Sequence, residues 1–430
     1  MLKGKKIAVL GLGVSGFESA RFLRAKGFEV FVSDQGSSAL ITERAGALAG
    51  MGISVETGRH STERILECDW ILISPGIPPT SSVYRAAEAK GIPILSEIEA
   101  ASWFCPSKRV IAVTGSSGKT TVSTLLGRVF EKALGRTVVC GNIGNPWIGE
   151  ISGLGAGDTV VLEVSSFQLM HCRTFRPETG ILLNLSPNHQ DWHRDMREYA
   201  AAKLRIFECQ NSGDHAVLRR KDQESFFPGY AFKASRHYFG ADPSLNPNEE
   251  VVRLAAGIYE VDPQMTEDVL RHFEGIEHRL EKVALLNGVQ YINDSKCTTS
   301  ASLAWALSKF PDKSVVLIAG GHPKSEDFAE VRDLVAAKVR YAVLIGEARP
   351  LLRRAWKDAC RQSEANDFSG AVAEAHRVAA GGDTVLLSPA CASFDMFRNY
   401  EERGRTFKAL IRAFDPSREP DRAAPALVKD

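Results

Sequence analysis

The stretch Arg109-Val-Ile-Ala-Val-Thr-Gly-Ser-Ser-Gly-Lys-Thr-Thr121 limits what this chain can become more than any other. A β-branched apolar run breaks at Gly115, passes Ser116, Ser117 and Gly118, and delivers Lys119, Thr120 and Thr121 into a helical pattern from Val122 to Lys132. The order is strand, glycine loop, helix start. Backbone N–H groups at a helix N-terminus lack intrahelical partners, and the peptide dipoles add about half a positive charge there, so the bend suits an anion. In that setting Lys119 would reach the outer phosphates of a nucleoside triphosphate, and the Thr120 hydroxyl would lie beside a bridging magnesium. The loop is a shortened variant of the Walker form, with Val113-Thr114 where that form opens on glycine. A glycine turn with a solvated lysine is the plainer alternative.

A second glycine signature stands near the start. Lys6 to Leu10 reads as a strand, Gly11-x-Gly13-x-x-Gly16 as a tight loop, Phe17 to Lys26 as a helix, and Phe28 to Asp34 as a second strand. This is the dinucleotide fingerprint in its proper order, and it predicts a pocket for a nucleotide diphosphate. The base stays open, because Asp34, 18 residues after Gly16, would serve ribose hydroxyls or a uracil edge equally well. Trp70 to Pro79 is a strand ending in a rigid loop, which puts Ser74 and Gly76 at the carboxyl edge where open parallel sheets bind ligands. Ile94 to Trp103 is short and amphipathic, and Pro106-Ser-Lys108 reads as a linker.

Beyond the phosphate loop the β–α alternation continues. Thr137 to Cys140 closes on Gly141-Asn142, and Asp158 to Glu163 resembles a Walker-B strand whose terminal carboxylate could hold magnesium. Gly180 to Leu185 runs into Ser186-Pro-Asn-His189, a histidine at a strand's carboxyl end and so a candidate ligand. Lys203, amid alanines on the helix Met196 to Cys209, reads from the residues alone as an ordinary helix lysine with its stem on the core. Strands at His215 to Leu218 and His237 to Gly240 follow, then helices from Glu249 to Phe273. A further α/β unit has strands at Val289 to Asn293, Val315 to Ala319, Val343 to Gly346 and Thr384 to Leu387. Asp294, Lys296, Thr298, Lys324 and Ser393 all fall in its strand-end loops.

Bulk properties exclude several classes. The chain has 430 residues, with 53 Lys plus Arg against 52 Asp plus Glu. That length predicts two to four domains, and the balanced charge gives no field for nucleic acid or a membrane surface. No apolar run approaches the roughly 20 residues that span a bilayer, and no signal peptide is visible. The 8 cysteines are scattered singly, without metal-site spacing, as free thiols in a reducing cytoplasm. Pro416 to Asp430 reads as a flexible tail.

The set GSSGKTT, GNIG, LEVSSFQ, HQD, YAAAKLRIF, EHR, NDSKCT, GGHPKSEDF and LSPACASFDMFRNYEERG closely resembles the Mur ligases, and within them the D-glutamate-adding branch. The resemblance covers residues 5 to about 412 and implies an α/β fold of three domains. These are a Rossmann-like N-terminal domain at 1–106, a central P-loop-type ATPase domain with a mostly parallel sheet at 107–276, and a Rossmann-like C-terminal domain at 277–415, with a tail at 416–430. It implies a cytoplasmic, monomeric enzyme. ATP, UDP-N-acetylmuramoyl-L-alanine and D-glutamate would be its substrates, reacting through an acyl phosphate. By motif match, Gly115 to Thr121 with Arg279 and Asp294 would bind ATP. Thr120 and Glu163 would hold one Mg2+, and His189 with a carbamylated Lys203 a second. Ser15, Gly16, Asp34, Gly76, Asn142 and Gln168 would take the UDP-sugar, and Thr298, Lys324, Ser393 and Tyr400 the D-glutamate. Closure of the C-terminal domain over ATP is also expected.

This sequence departs from the family pattern in places. Ser117 and Thr299 stand where relatives often have asparagine, and Tyr400 where some have phenylalanine. The H-N-x-x-N run that contacts adenine has no clean counterpart; Asn246 and Asn248 are the nearest residues. Two rival readings are a nicotinamide-dependent oxidoreductase built on the first fingerprint and a non-enzymatic nucleotide-gated module. The first leaves unexplained why Lys119, Glu163 and His189 all sit at strand ends of one later unit.

Overall fold

Three apolar β-branched runs, Lys6–Leu10, Arg109–Thr114 and Val315–Gly320, form interior strands of three separate sheets. The computed structural model describes residues 5–186, 192–273, 275–323 and 327–414. His189 and Lys324 therefore lie outside the described residues, as does the tail from 416.

The first sheet contains β1 (Lys6–Leu10), β2 (Glu29–Asp34), β3 (Ser54–Thr57), β4 (Trp70–Ile73) and β5 (Ile94–Leu95), all parallel, in the order β3-β2-β1-β4-β5. The second contains β6 (Arg109–Thr114), β7 (Thr137–Gly141), β8 (Thr159–Glu163), β9 (Thr179–Leu182), β10 (His215–Arg219) and β11 (Ser235–Phe239). It is also wholly parallel, in the order β11-β10-β9-β6-β8-β7. Interior strands such as β8 are buried along their whole length, as expected of a parallel sheet covered on both faces. In each sheet the glycine loop follows the strand at which the winding reverses, β1 in one and β6 in the other. Neighbouring connections leave on opposite faces there and open a crevice.

Between these sheets lies a helix, Glu97–Ser102, in which both glutamates are buried. The amphipathic pattern predicted one wet face, but packing overrides it, because both carboxylates find donors across the boundary. Glu97 accepts the N–H of Ile148 at 2.6 Å. Glu99 accepts the N–H groups of Arg173, Thr174 and Phe175 at 2.9–3.0 Å, the Thr174 hydroxyl and the Trp103 indole. Residues up to 273 form one compact unit and the remainder a second.

The second unit carries the third sheet, β12 (Glu281–Leu286), β13 (Val289–Asn293), β14 (Val315–Gly320), β15 (Val339–Ile345), β16 (Arg361–Glu364) and β17 (Thr384–Leu387). Its order is β12-β13-β17-β14-β15-β16, with β12 alone antiparallel. The sequence reading missed β12, β3 and β16. For β12 a signal existed: Asn287 (φ 51°) and Gly288 (φ 78°) form the two-residue bend between β12 and β13 that Asn-Gly favours. β3 and β16 are polar edge strands, whose composition resists pairing and hides them from an apolar-run search. Among the described residues no helix is long and apolar enough to cross a membrane. The 8 cysteines are all free.

Candidate active site

At the carboxyl end of β6 the chain turns through Gly115–Gly118 into the helix Lys119–Leu134, which has no side-chain cap and no acidic residue in its first turn. A helix start of this kind suits an anion. Neighbouring residues hold the loop. The N–H of Ser116 donates to the Asn184 carbonyl at 3.0 Å, and the N–H of Ser117 donates to Asn184 Oδ1 at 2.9 Å. Asn184 Nδ2 returns a bond to the Ser117 carbonyl. Ser116 Oγ bonds the Ser186 carbonyl and lies 3.0 Å from the Tyr199 hydroxyl. Gly118 has φ 83°, and a Cβ there would meet Asn248 Oδ1 at 2.7 Å. Asn248, a weak candidate from sequence, therefore packs against the phosphate loop.

Three charged side chains converge on this bend. Lys119 Nζ folds back to the Gly115 carbonyl at 2.9 Å. Lys203, 1% exposed, reaches the same carbonyl at 3.1 Å and Thr114 Oγ1 at 3.2 Å. Burial first, and then the neighbouring Lys119 charge, hold the Lys203 amine well below the ordinary lysine value; Glu163 pulls the other way. Lys203 is therefore not the ordinary helix lysine that its alanine-rich setting suggested. Glu163, 2% exposed at the end of β8, accepts Asn142 Nδ2 at 2.9 Å on Oε1, while its Oε2 is buried without a hydrogen-bond partner. A buried carboxylate oxygen left unsatisfied on the strand next to the loop that leads into Thr120 is a donor that fits a hard divalent cation. Thr120 is largely buried in that first turn, and Thr121 follows it.

The first sheet builds a different site. Ser15 and Gly16 lie in the first turn of the helix Val14–Ala25, which also lacks a side-chain cap. Asp34 does not project free: its carboxylate accepts the N–H groups of Leu12 and Gly36, so in this structure it braces the glycine loop. Arg44 clasps the same turn through the Leu12 carbonyl at 3.0 Å. Ser74, just before Gly76, bonds Leu10 and Gly11. It lines a small enclosed cavity with Pro75 and Ile77, facing Phe167, Gln168 and Trp192. Gln168 Oε1 accepts from Ser165 in a capping box.

On the third sheet, Asp294 and Thr298 follow β13, and Ser393 follows β17, its neighbour. Asp294 is buried with both oxygens engaged, by Leu280 N–H at 3.2 Å and Ser388 Oγ at 2.8 Å. Burial pushes its carboxyl up to about 6. Tyr400 opens the helix Tyr400–Ala413, and its ring centroid lies 6.1 Å from that of His278. Thr299 caps the helix Ser300–Leu307, a task that the asparagine of relatives would also perform. Sequence reasoning gave no role to Arg403. It is fully buried and donates to the carbonyls of Ser295, Cys391 and Ala392, joining the two loops that carry Asp294 and Ser393. Asn184 was missed likewise. Neither has a local signature, since each acts through backbone groups distant in sequence.

Family models match most of the chain: "Mur ligase MurD-like, N-terminal domain" over residues 5–96, "Mur ligase middle domain" over 113–254, and "Mur ligase, glutamate ligase domain" over 278–391. The chain is 38% identical to the UDP-N-acetylmuramoylalanine–D-glutamate ligase of Salinibacter ruber, with 94% of this chain and 97% of that protein covered. It is 37% identical to the protein of the same name from Pelotomaculum thermopropionicum, covering 95% and 97%. Among solved structures, the MurF ligase of Thermotoga maritima in complex with ADP aligns with TM-score 0.55 at 14% identity, covering 96% of each chain. The UDP-N-acetylmuramate-alanine ligase MurC of the same organism gives 0.54 at 17%, covering 95% and 99%. At such identities these structures speak for the fold alone.

Proposed function

The chain belongs to the Mur ligase family, and from that premise we propose that it is the ATP-dependent ligase that joins D-glutamate to UDP-N-acetylmuramoyl-L-alanine in peptidoglycan precursor synthesis. The observation that carries the reading is the group at one bend of the second sheet. There Lys119 and the buried Lys203 amine meet one carbonyl of an uncapped glycine loop, and a buried, half-satisfied Glu163 ends the neighbouring strand.

In this reading the L-alanine carboxylate oxygen attacks the γ-phosphorus of ATP and ADP leaves. The D-glutamate amine then attacks the acyl carbon, phosphate leaves, and the amine proton passes to solvent. The chain's contribution is positioning and charge neutralisation. The segment Gly115 to Thr121 receives the phosphates through the helix start after Gly118 and the Lys119 ammonium, while the Ser116 and Ser117 N–H groups, held by Asn184, fix the loop. Thr120 and Glu163 would hold one magnesium, and His189 with Lys203 a second; bound there, the metal would neutralise charge on the phosphoryl oxygens. Burial favours the neutral form of the Lys203 amine, the form that adds to carbon dioxide and loses a proton to give an anionic carbamate suited to a cation. Ser15, Gly16, Asp34, Gly76, Asn142 and Gln168 are assigned to the UDP-sugar, Arg279 and Asp294 to ATP, and Thr298, Lys324, Ser393 and Tyr400 to D-glutamate. The matching division into domains is 1–106, 107–276 and 277–415.

Amino-acid selectivity tests the proposal. ADP release should require UDP-N-acetylmuramoyl-L-alanine and D-glutamate together. Equal release with L-alanine or meso-diaminopimelate in place of D-glutamate would assign the chain to another branch of the family.

A further inference from the structure

The segment that opens the third sheet is wound unusually. His278 (φ 65°) and Leu280 (φ 45°) both adopt left-handed backbone, which a residue with a side chain keeps only where its surroundings enforce it. The enforcement is visible. Glu281 Oε2 accepts the His278 N–H at 2.9 Å and Asn293 Nδ2 at 2.9 Å. Asn293 Nδ2 also lies 2.8 Å from His278 Nδ1. Lys408 Nζ holds Glu281 Oε1 at 2.8 Å and Glu277 Oε1 at 2.5 Å. Gly404 admits the imidazole, since a Cβ there would come within 2.2 Å of His278 Nδ1. The Leu280 N–H is held by Asp294. Glu277, His278 and Glu281 are metal-ligand types grouped within 4.8 Å, but the Lys408 ammonium already bridges the two carboxylates, so the cluster is a lock rather than a cation site.

The turn carries Arg279, whose side chain is half-buried. Its guanidinium lies 5.4 Å from the ring centroid of Trp305, an indole 46% exposed. Lys309 sits over the same ring at 5.1 Å. A large exposed aromatic between two cations is an attractive resting surface for a guanidinium.

We propose that Glu281 is a positioning residue for Arg279: with Asn293 and Lys408 it fixes the left-handed turn that aims the arginine, and the Trp305 face holds the guanidinium until a triphosphate takes it. This rests on the assignment of Arg279 to ATP. The test is steady-state kinetics of the full chain with Glu281→Gln, Lys408→Met, Trp305→Leu and Arg279→Ala. Glu281→Gln and Lys408→Met should each raise KM for ATP about 10-fold, equivalent to one cation–π or hydrogen-bond contribution, with KM for D-glutamate within about 2-fold of the parent. In the Arg279→Ala background, Glu281→Gln should add no further rise. A Glu281→Gln or Lys408→Met variant with lowered Tm and active fraction but unchanged KM for ATP would make Glu281 merely structural and overturn the proposal. Trp305→Leu with unchanged KM for ATP would remove the resting surface from it. If Arg279→Ala itself left KM for ATP unchanged, the assignment of Arg279 would fall instead. Lys408→Met releases only the ammonium that anchors Glu281 Oε1, a milder loosening of the same turn, so the test survives if Glu281→Gln fails to fold.

Discussion

Lys203 shows how far a residue's meaning depends on its surroundings. Local sequence shows a lysine on an alanine-rich helix. The fold buries its amine against the Gly115 carbonyl, and only the family resemblance, not composition or periodicity, pointed there. If the group required at this point is an anion formed on the amine, Lys203→Ala should lose activity by at least about 100-fold, the scale of removing one transition-state electrostatic contact. A small carboxylic acid should restore part of that activity. An active alanine variant would end the carbamate assignment, and a carbon-13 carbonyl resonance after labelling with carbon dioxide would support it directly. Glu97 makes a second residue-level case. It is fully buried with one oxygen unsatisfied, and burial pushes its carboxyl up to about 7. The native state therefore binds this proton more tightly than the unfolded chain does. Stability should fall as pH rises between about 4.5 and 7, and the loss should be complete above that range. Glu97→Gln, which keeps an acceptor for Ile148, should raise Tm by a few degrees at about pH 8 and leave it unchanged at about pH 4. An equal effect at both pH values would show that the carboxylate's charge is not the cause.

At the scale of elements, the helix Glu97–Ser102 is short yet binds two sheets together. The Glu99 carboxylate collects three successive backbone N–H groups that have no other acceptor in the 173–175 turn. Glu99→Ala would take this acceptor from three backbone donors, of which the Phe175 N–H is buried, at about 1–3 kcal/mol for a buried group. The expected outcome is a total loss of roughly 3 kcal/mol in urea unfolding of the first unit; a loss under about 0.5 kcal/mol would show that water replaces the carboxylate freely. Elements were unevenly legible. β6 and β8 stood out because buried parallel strands read as apolar runs, and both glycine loops because helix N-termini need them. β3 and β16 were hidden by their polar edge positions, and the burial of Glu97 and Glu99 by the fact that their donors lie some 50 to 76 residues away.

Across the whole molecule, three sheets each place their candidate chemistry at a carboxyl edge, two of them in one unit. The glycine loops after β1 and β6 stand on different sheets. Lys119→Ala should therefore abolish turnover while leaving UDP-sugar affinity within about 2-fold of the parent, as expected for independent sites; loss of both in a calorimetric titration would contradict the separation. The order of elements and both loops could be read from the chain because they depend on local pattern. The loop-to-loop work of Asn184 and Arg403 could not, because it depends on which strands become neighbours. The glutamate pair on Glu97–Ser102 has one more consequence. With the first two sheets fastened to each other, the span from the glycine loop after β1, which we assign to the uridine diphosphate, to the phosphate bend becomes a fixed ruler. A sugar nucleotide whose acyl arm is one carbon too short would be refused by reach, even if every contact along its length were satisfied.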